Sequence, residues 1–170
     1  MEVQATENEW QRISCLGDQI SLMLPFGWAR PYDEVTEKKF PYHSKPQEIF
    51  ADDSISRLMT FNMLEKQLQN QQVYPAIREI QKVIVHMYPE SVREPARKIA
   101  SGIGEAAYFS YITGGVKEDC GHIMFVVPVH EKMMLGSYHF PAVQLNGERE
   151  VFLEILQSMQ VNEDTEGRKQ

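Results

Sequence analysis

The chemistry most open to this chain lies in five histidines: His43, His86, His122, His130 and His139. Neutral imidazole binds transition metals and exchanges protons near neutral pH. Zinc sites usually draw on close pairs such as H-x-x-x-H, or on cysteines two to four residues apart. Neither spacing occurs here. Cys120 and His122 flank Gly121, so on a strand both side chains leave the same face, and His139 falls on what reads as the paired strand. Cys120, His122 and His139 are therefore the candidate metal ligands, against the plainer reading that a Cys and a His around a glycine belong to a strand-entry turn. His86, before Met87-Tyr88-Pro89, reads as a positive group at a helix C-terminus.

Nucleophilic catalysis needs an exposed Ser or Cys beside a His base and an orienting acid. No G-x-S-x-G elbow and no papain-like cysteine context is present. Ser101-Gly102-Ile103-Gly104 lacks the lysine and following helix of a phosphate loop. Thr113-Gly114-Gly115 closes a strand into a turn. Asp52-Asp53 and Glu118-Asp119 are paired carboxylates in turns, where such side chains bond to local backbone. Neither segment supplies the alternating oxygen ligands of a calcium loop. No catalytic residue and no cofactor is assigned on these grounds, and the chain is expected not to be an enzyme.

Aromatic and methionine side chains are the other candidates, as anchors for a protein partner. Phe26, Trp28, Tyr32, Phe40 and Tyr42 lie in or beside a charged, proline-containing stretch over 29–46 that lacks periodicity. Aromatics left exposed on such a loop anchor partners. The plainer reading is that Trp28 and Phe40 fold back and plug the end of the core, and for Trp28 it is preferred. Met134, Tyr138 and Phe140 form a second set, since methionine adapts to varied partners. Facing outward on an edge strand they would favour a homodimer, although alternation along the strand sends half of the 133–140 set inward.

Several elements must position these groups. Residues 10–16 and 19–24 flank Gly17-Asp18, a hairpin signal. Residues 47–51 and 55–64 flank Asp52-Asp53-Ser54, and the longer strand is apolar on both faces. Val73, Ile77, Ile80, Ile84 and Met87 then recur at helical spacing, with Pro75 near the start and Pro89 forbidding continuation, which predicts a helix of 16 residues ending at Tyr88. Residues 97–103 and 107–113 form a third hairpin, and 122–129 with 132–140 a fourth. Asn146 is expected to cap a last helix whose buried stripe is Val151, Phe152, Ile155, Leu156 and Met159. The predicted fold class is α+β: a largely antiparallel sheet of about eight strands, in four hairpins, sandwiched by two main helices. Residues 1–161 are expected to form one domain and 162–170 a disordered tail.

Composition narrows the partners. A net charge of −7 over 170 residues argues against nucleic acid or an anionic membrane surface. No apolar run reaches the length of about 20 residues that spans a bilayer. The start, MEVQATENEW, lacks the basic-then-apolar pattern of a signal peptide, and two cysteines make no disulfide framework. A cytoplasmic protein with reduced thiols is expected, with a single Cys15–Cys120 bridge as the alternative.

The element order, together with QISLMLPFGW at 19–28 and EREVFLEILQSMQV at 148–161, resembles the PsbP-like family that includes the Mog-type Ran-binding proteins and the Eag-type adaptor chaperones. In that family an early strand runs into a Leu-Pro-x-Gly-Trp corner, here Leu24-Pro25-Phe26-Gly27-Trp28, and an amphipathic helix closes the chain, here Arg149–Val161. The resemblance covers about residues 18–161. It implies a PsbP/Mog-like α/β/α scaffold that binds other macromolecules and does no chemistry; no binding residue carries over, because the motif is structural. The expected function is thus a non-catalytic protein-binding module: a cytosolic adaptor, chaperone or immunity-type protein with a protein partner. The alternative is a small-molecule or metal-binding protein or enzyme using the 120–139 strand region.

Overall fold

The Gly17-Asp18 turn is left-handed throughout: Leu16, Gly17 and Asp18 have φ of 57°, 65° and 66°. It reverses the chain between β1 (Trp10–Cys15) and β2 (Ile20–Pro25). The computed structural model describes residues 10–39 and 46–162. After β2 come α1 (Asp33–Lys39), β3 (Glu48–Ala51), β4 (Leu58–Gln67) and α2 (Val73–Met87). β5 (Val92–Arg93), β6 (Arg97–Ser101), β7 (Gly104–Thr113), β8 (Cys120–Val129) and β9 (Lys132–Pro141) follow. The last elements are α3 (Leu145–Gln157) and β10 (Gln160–Val161).

The fold is α+β with antiparallel strands, and the strands divide into two sheets rather than the expected one. The larger has seven strands in the order β3-β4-β9-β8-β7-β5, with β6 also on β7; the smaller is β1-β2-β10. The division follows from β10, which occupies the edge of β2, pairing Gln160 with Ser21 and Val161 with Ile20. Those two residues were expected to continue the terminal helix. Asn162, placed in the tail by the sequence, is also held: its N–H donates to Gln19 O at 2.9 Å and its side chain to Asp18 O at 2.7 Å. Residues 163–170 lie outside the described residues.

Apolar alternation assigns each face of the large sheet a cover. One face presents Phe61, Phe125 and Tyr138 to Leu22 and Leu24 of β2 and to Phe152 and Leu156 of α3. The other presents Phe109, Val126 and Met133 to Val73 and Ile77 of α2. α2 ends one residue before the predicted Tyr88, because Pro89 cannot continue it. A third, short helix, α1, stands where the sequence reads as irregular; Asp33 and Glu34 in its first turn suit the helix dipole. α3 begins at Leu145, straight from a single-turn 3-10 segment over Ala142–Gln144, so Asn146 sits inside the first turn and accepts from Arg149 instead of capping.

β9 lies between β4 and β8, so it is an interior strand and not an edge. Met134, Tyr138 and Phe140 are buried in the core accordingly. The outward-facing edge strand expected for them is thereby corrected, and no homodimer runs through β9. Cys15 and Cys120 are both free; they belong to different sheets, which corrects the alternative of a bridge. Among the described residues no helix is long and apolar enough to cross a membrane.

Candidate functional site

The register of three interior strands brings the histidines together. On β8 and β9 His122 stands opposite His139, and on β7 Tyr111 stands opposite His122. The two imidazoles meet Nδ1 to Nδ1 at 2.8 Å. His122 Nε2 lies 2.8 Å from the Thr113 hydroxyl, and His139 Nε2 lies 2.8 Å from that of Ser137. Ser137 in turn meets Thr60 on β4 at 2.6 Å. The result is one hydrogen-bonded chain, Thr113–His122–His139–Ser137–Thr60, across four neighbouring strands. Facing Nδ1 atoms bond only if one carries the proton and the other does not. The whole chain therefore has two proton arrangements, and reversing one requires every hydroxyl to turn with it.

Surroundings disfavour a charge on His122. The Tyr111 ring stacks on His122 at 4.5 Å, and Tyr88, just past α2, stacks on Tyr111. Burial drives the His122 pKa down to about 4. Burial, and secondarily Tyr88, raises the pKa of Tyr111. Ser137 and His139 resemble half of a catalytic triad, yet Ser137 is buried, its oxygen is shared with Thr60, and a second imidazole stands where an orienting carboxylate would be.

A cavity of about 410 Å³ opens over the pair. Ile55, Leu58, Phe140 and Pro141 give it apolar walls; Cys120 lies beside the histidines, and Glu118 and Asp119 line it as well. Gly121 is required here, since a Cβ on it would lie 2.3 Å from Phe140 Cε1. Among the described residues no three His, Cys, Asp or Glu side chains converge to hold a metal ion, so Cys120 does not complete a ligand set with the histidines.

A second polar cluster lies on the opposite face of the sheet. Glu148 of α3 is buried; it accepts a short hydrogen bond from the Tyr138 hydroxyl and an ion pair from Arg57 at 3.2 Å. Arg57 also reaches Asp52 at 3.4 Å and lies over the Trp28 ring. Burial opposes ionisation of Asp52, but the Arg57 N–H, the Ser56 and Ser54 hydroxyls and the Arg57 charge outweigh it and hold its pKa below the usual carboxylate range. A third feature is a groove of about 450 Å³ between α2 and the large sheet, with Ala76 and Ile80 on one side and Leu64, Met133 and Leu135 on the other.

The residues singled out by sequence are dispersed. Phe26 is 71% exposed at the corner after β2, and Tyr32 is 83% exposed before α1. Trp28 is 3% exposed and packs on Tyr138, so it is a core residue and the surface reading of it is corrected; its Nε1 has no hydrogen-bond partner among the described residues. Phe40 and Tyr42 lie outside the described residues. His122 and His139 are brought together as the strand pairing suggests. Thr60, Thr113 and Ser137 were missed as their partners, and so were Arg57 and Glu148. For Thr113 and Ser137 the signal was available: once β7, β8 and β9 are in register, hydroxyls at 113 and 137 flank the imidazoles on the same face.

No family model matches the chain, and no curated protein matches it in sequence. Solved structures do match. The solution structure of cyanobacterial PsbP (CyanoP) from Synechocystis sp. PCC 6803 is similar over 91% of this chain and 93% of its own, at 11% identity and a TM-score of 0.61. The Ran-binding protein Mog1p of Saccharomyces cerevisiae is similar over 89% and 95%, at 8% identity and a TM-score of 0.57. LpqN of Mycobacterium tuberculosis, involved in cell envelope biogenesis, is similar over 92% and 94%, at 12% identity and a TM-score of 0.51. The fold is thus shared almost end to end: the chain has the PsbP/Mog-like fold.

Proposed function

We propose that this protein is a non-catalytic protein-binding module, a cytoplasmic adaptor, chaperone or immunity-type protein. The observation that carries this reading is the fold, shared over nine-tenths of the chain with a protein whose own work is to bind Ran. The candidate site agrees with it. Its hydroxyls and imidazoles are bonded to one another, and its serine is buried where no substrate would reach it. The test is copurification of the tagged full chain from its native host after mild cross-linking. One protein recovered in near-stoichiometric amount is the expected result; repeated recovery of the chain alone would rule the reading out.

The cavity over His122 and His139 favours a second reading, a small-molecule or metal-binding protein using the 120–139 region. Metal analysis of the purified chain, with Cys120→Ser and His122→Ala variants, separates the two. Zinc bound by the parent and lost from both variants would support it, and a metal-free parent would end the metal version.

A further inference from the structure

We infer that the cavity beside His122 and His139 receives an arginine side chain of the partner protein. This rests on the reading of the chain as a protein-binding module and names the chemistry of what it binds.

Shape and charge point the same way. The walls, Ile55, Leu58, Phe140 and Pro141, suit the aliphatic stem of a long side chain. Glu118 and Asp119 line the same cavity, and among the described residues neither carboxylate is paired with a cation. Two acids above an apolar wall match a planar, forked guanidinium better than a compact ammonium. Lys117, on the same turn, does not line the cavity; Arg57, on the neighbouring turn, is committed to Asp52 and Glu148. Val116 and Val143, in the two turns that the Ala142 N–H to Asp119 O bond ties together at 3.0 Å, are almost wholly exposed. Apolar side chains left exposed on these two turns are available to a protein partner. A carboxylate-bearing ligand would be repelled by Glu118 and Asp119, and the −7 net charge of the chain draws basic partners to it.

The probe is N-acetyl-arginine amide, titrated into the full chain while the ring signals of His122 and His139 are followed by NMR. Saturable shifts of both rings are expected, absent with the neutral isostere N-acetyl-citrulline amide. The double variant Glu118→Gln/Asp119→Asn should bind the probe at least about tenfold more weakly. Both positions are on an exposed turn, and an unchanged urea midpoint will show the variant folded; the single variants serve if it is not. No shift with the arginine amide, equal binding of the citrulline, norleucine or lysine amide, or full binding by the double variant would each overturn the inference. The same double variant should lose the protein that copurifies with the parent. If that protein is retained, the arginine site falls and the binding-module reading stands. If no protein copurifies while the arginine amide binds, the binding-module reading falls first.

Discussion

His122 and His139 share a single hydrogen-bonding proton across β8 and β9, Nδ1 to Nδ1 at 2.8 Å, in a position where burial opposes a positive charge on His122. The pH consequence has a definite sign. An unfolded histidine titrates near 6.5, whereas His122 in the fold titrates near 4. Between those values the unfolded chain binds more protons, so stability rises with pH across that window and is lost as pH falls from about 6.5 to about 4. The loss should amount to about 2–3 kcal/mol after some allowance for solvent screening. Urea midpoints at pH 7.5, 5.5 and 4 for the parent and for His122→Asn will check it. The variant should show a shallower decline, and parallel curves would exclude His122 as the source.

Glu148 is the acceptor for two buried donors. Glu148→Ala leaves Arg57 half-buried without its closest partner and the Tyr138 hydroxyl unbonded, and should cost about 3–5 kcal/mol. Tyr138→Phe removes one donor and leaves the Arg57 pair intact, so about 1–2 kcal/mol is expected. Chemical denaturation of the two variants measures both, and equal losses would show that the ion pair contributes nothing beyond the phenol.

Trp28 fills the core without using its indole N–H. Trp28→Phe removes a buried, unpaired donor along with some volume, so it should cost under about 2 kcal/mol. Trp28→Ala should cost about 3–5 kcal/mol, because the ring packed on Tyr138 and under Arg57 is gone. Thermal unfolding of both variants gives the comparison.

Gly121→Ala forces the Phe140 ring away from its place over the backbone. About 1–3 kcal/mol of overpacking cost is expected, with altered Tyr138 ring signals because the displaced Phe140 ring packs on it. An unchanged melting temperature would mean that Phe140 moves freely.

The two thiols should differ sharply. Burial, reinforced by Glu48, pushes the Cys15 pKa up to about 12, so its thiolate is scarce at neutral pH. Titration with a thiol reagent should find Cys120 reactive in the native protein and Cys15 reactive only after denaturation. Reaction of both at similar rates in the native state would show that the β1–β2 hairpin opens readily.

The hairpins were legible because turn chemistry and alternation are local. Gly17-Asp18 and the almost continuous apolarity of 122–129 each act within ten residues, and α2 follows from its own periodicity and Pro89. What was not legible depends on distant partners. Nothing in Gln160-Val161 says strand; they become one because β2 has a free edge and the helix stops at Gln157. Glu148 reads as a dipole-favouring acid in a first helical turn, and only the packing of α3 over β9 turns it inward to Tyr138. Alternation along 133–140 says that half of that set turns inward but not which half, and it is the crossing of β4 to pair with β9 that makes the strand interior and buries Tyr138 and Phe140. The histidine pair was half visible: strand pairing suggested proximity, but register alone decides that the two rings meet and that Ser137 and Thr113 complete the line.

The stitching of β10 to β2 also sets an order of events during synthesis. Met23 N–H bonds the Ser158 hydroxyl, 135 residues further on, and the edge of β2 is completed by Gln160 and Val161. A chain emerging from the ribosome N-terminus first makes its opening hairpin long before the segment that covers it. Until α3 and β10 appear, Ile20, Leu22 and Leu24 lack the helix and the edge strand that complete their cover. The β1–β2 hairpin therefore reaches its native packing only once residues as late as Val161 are out.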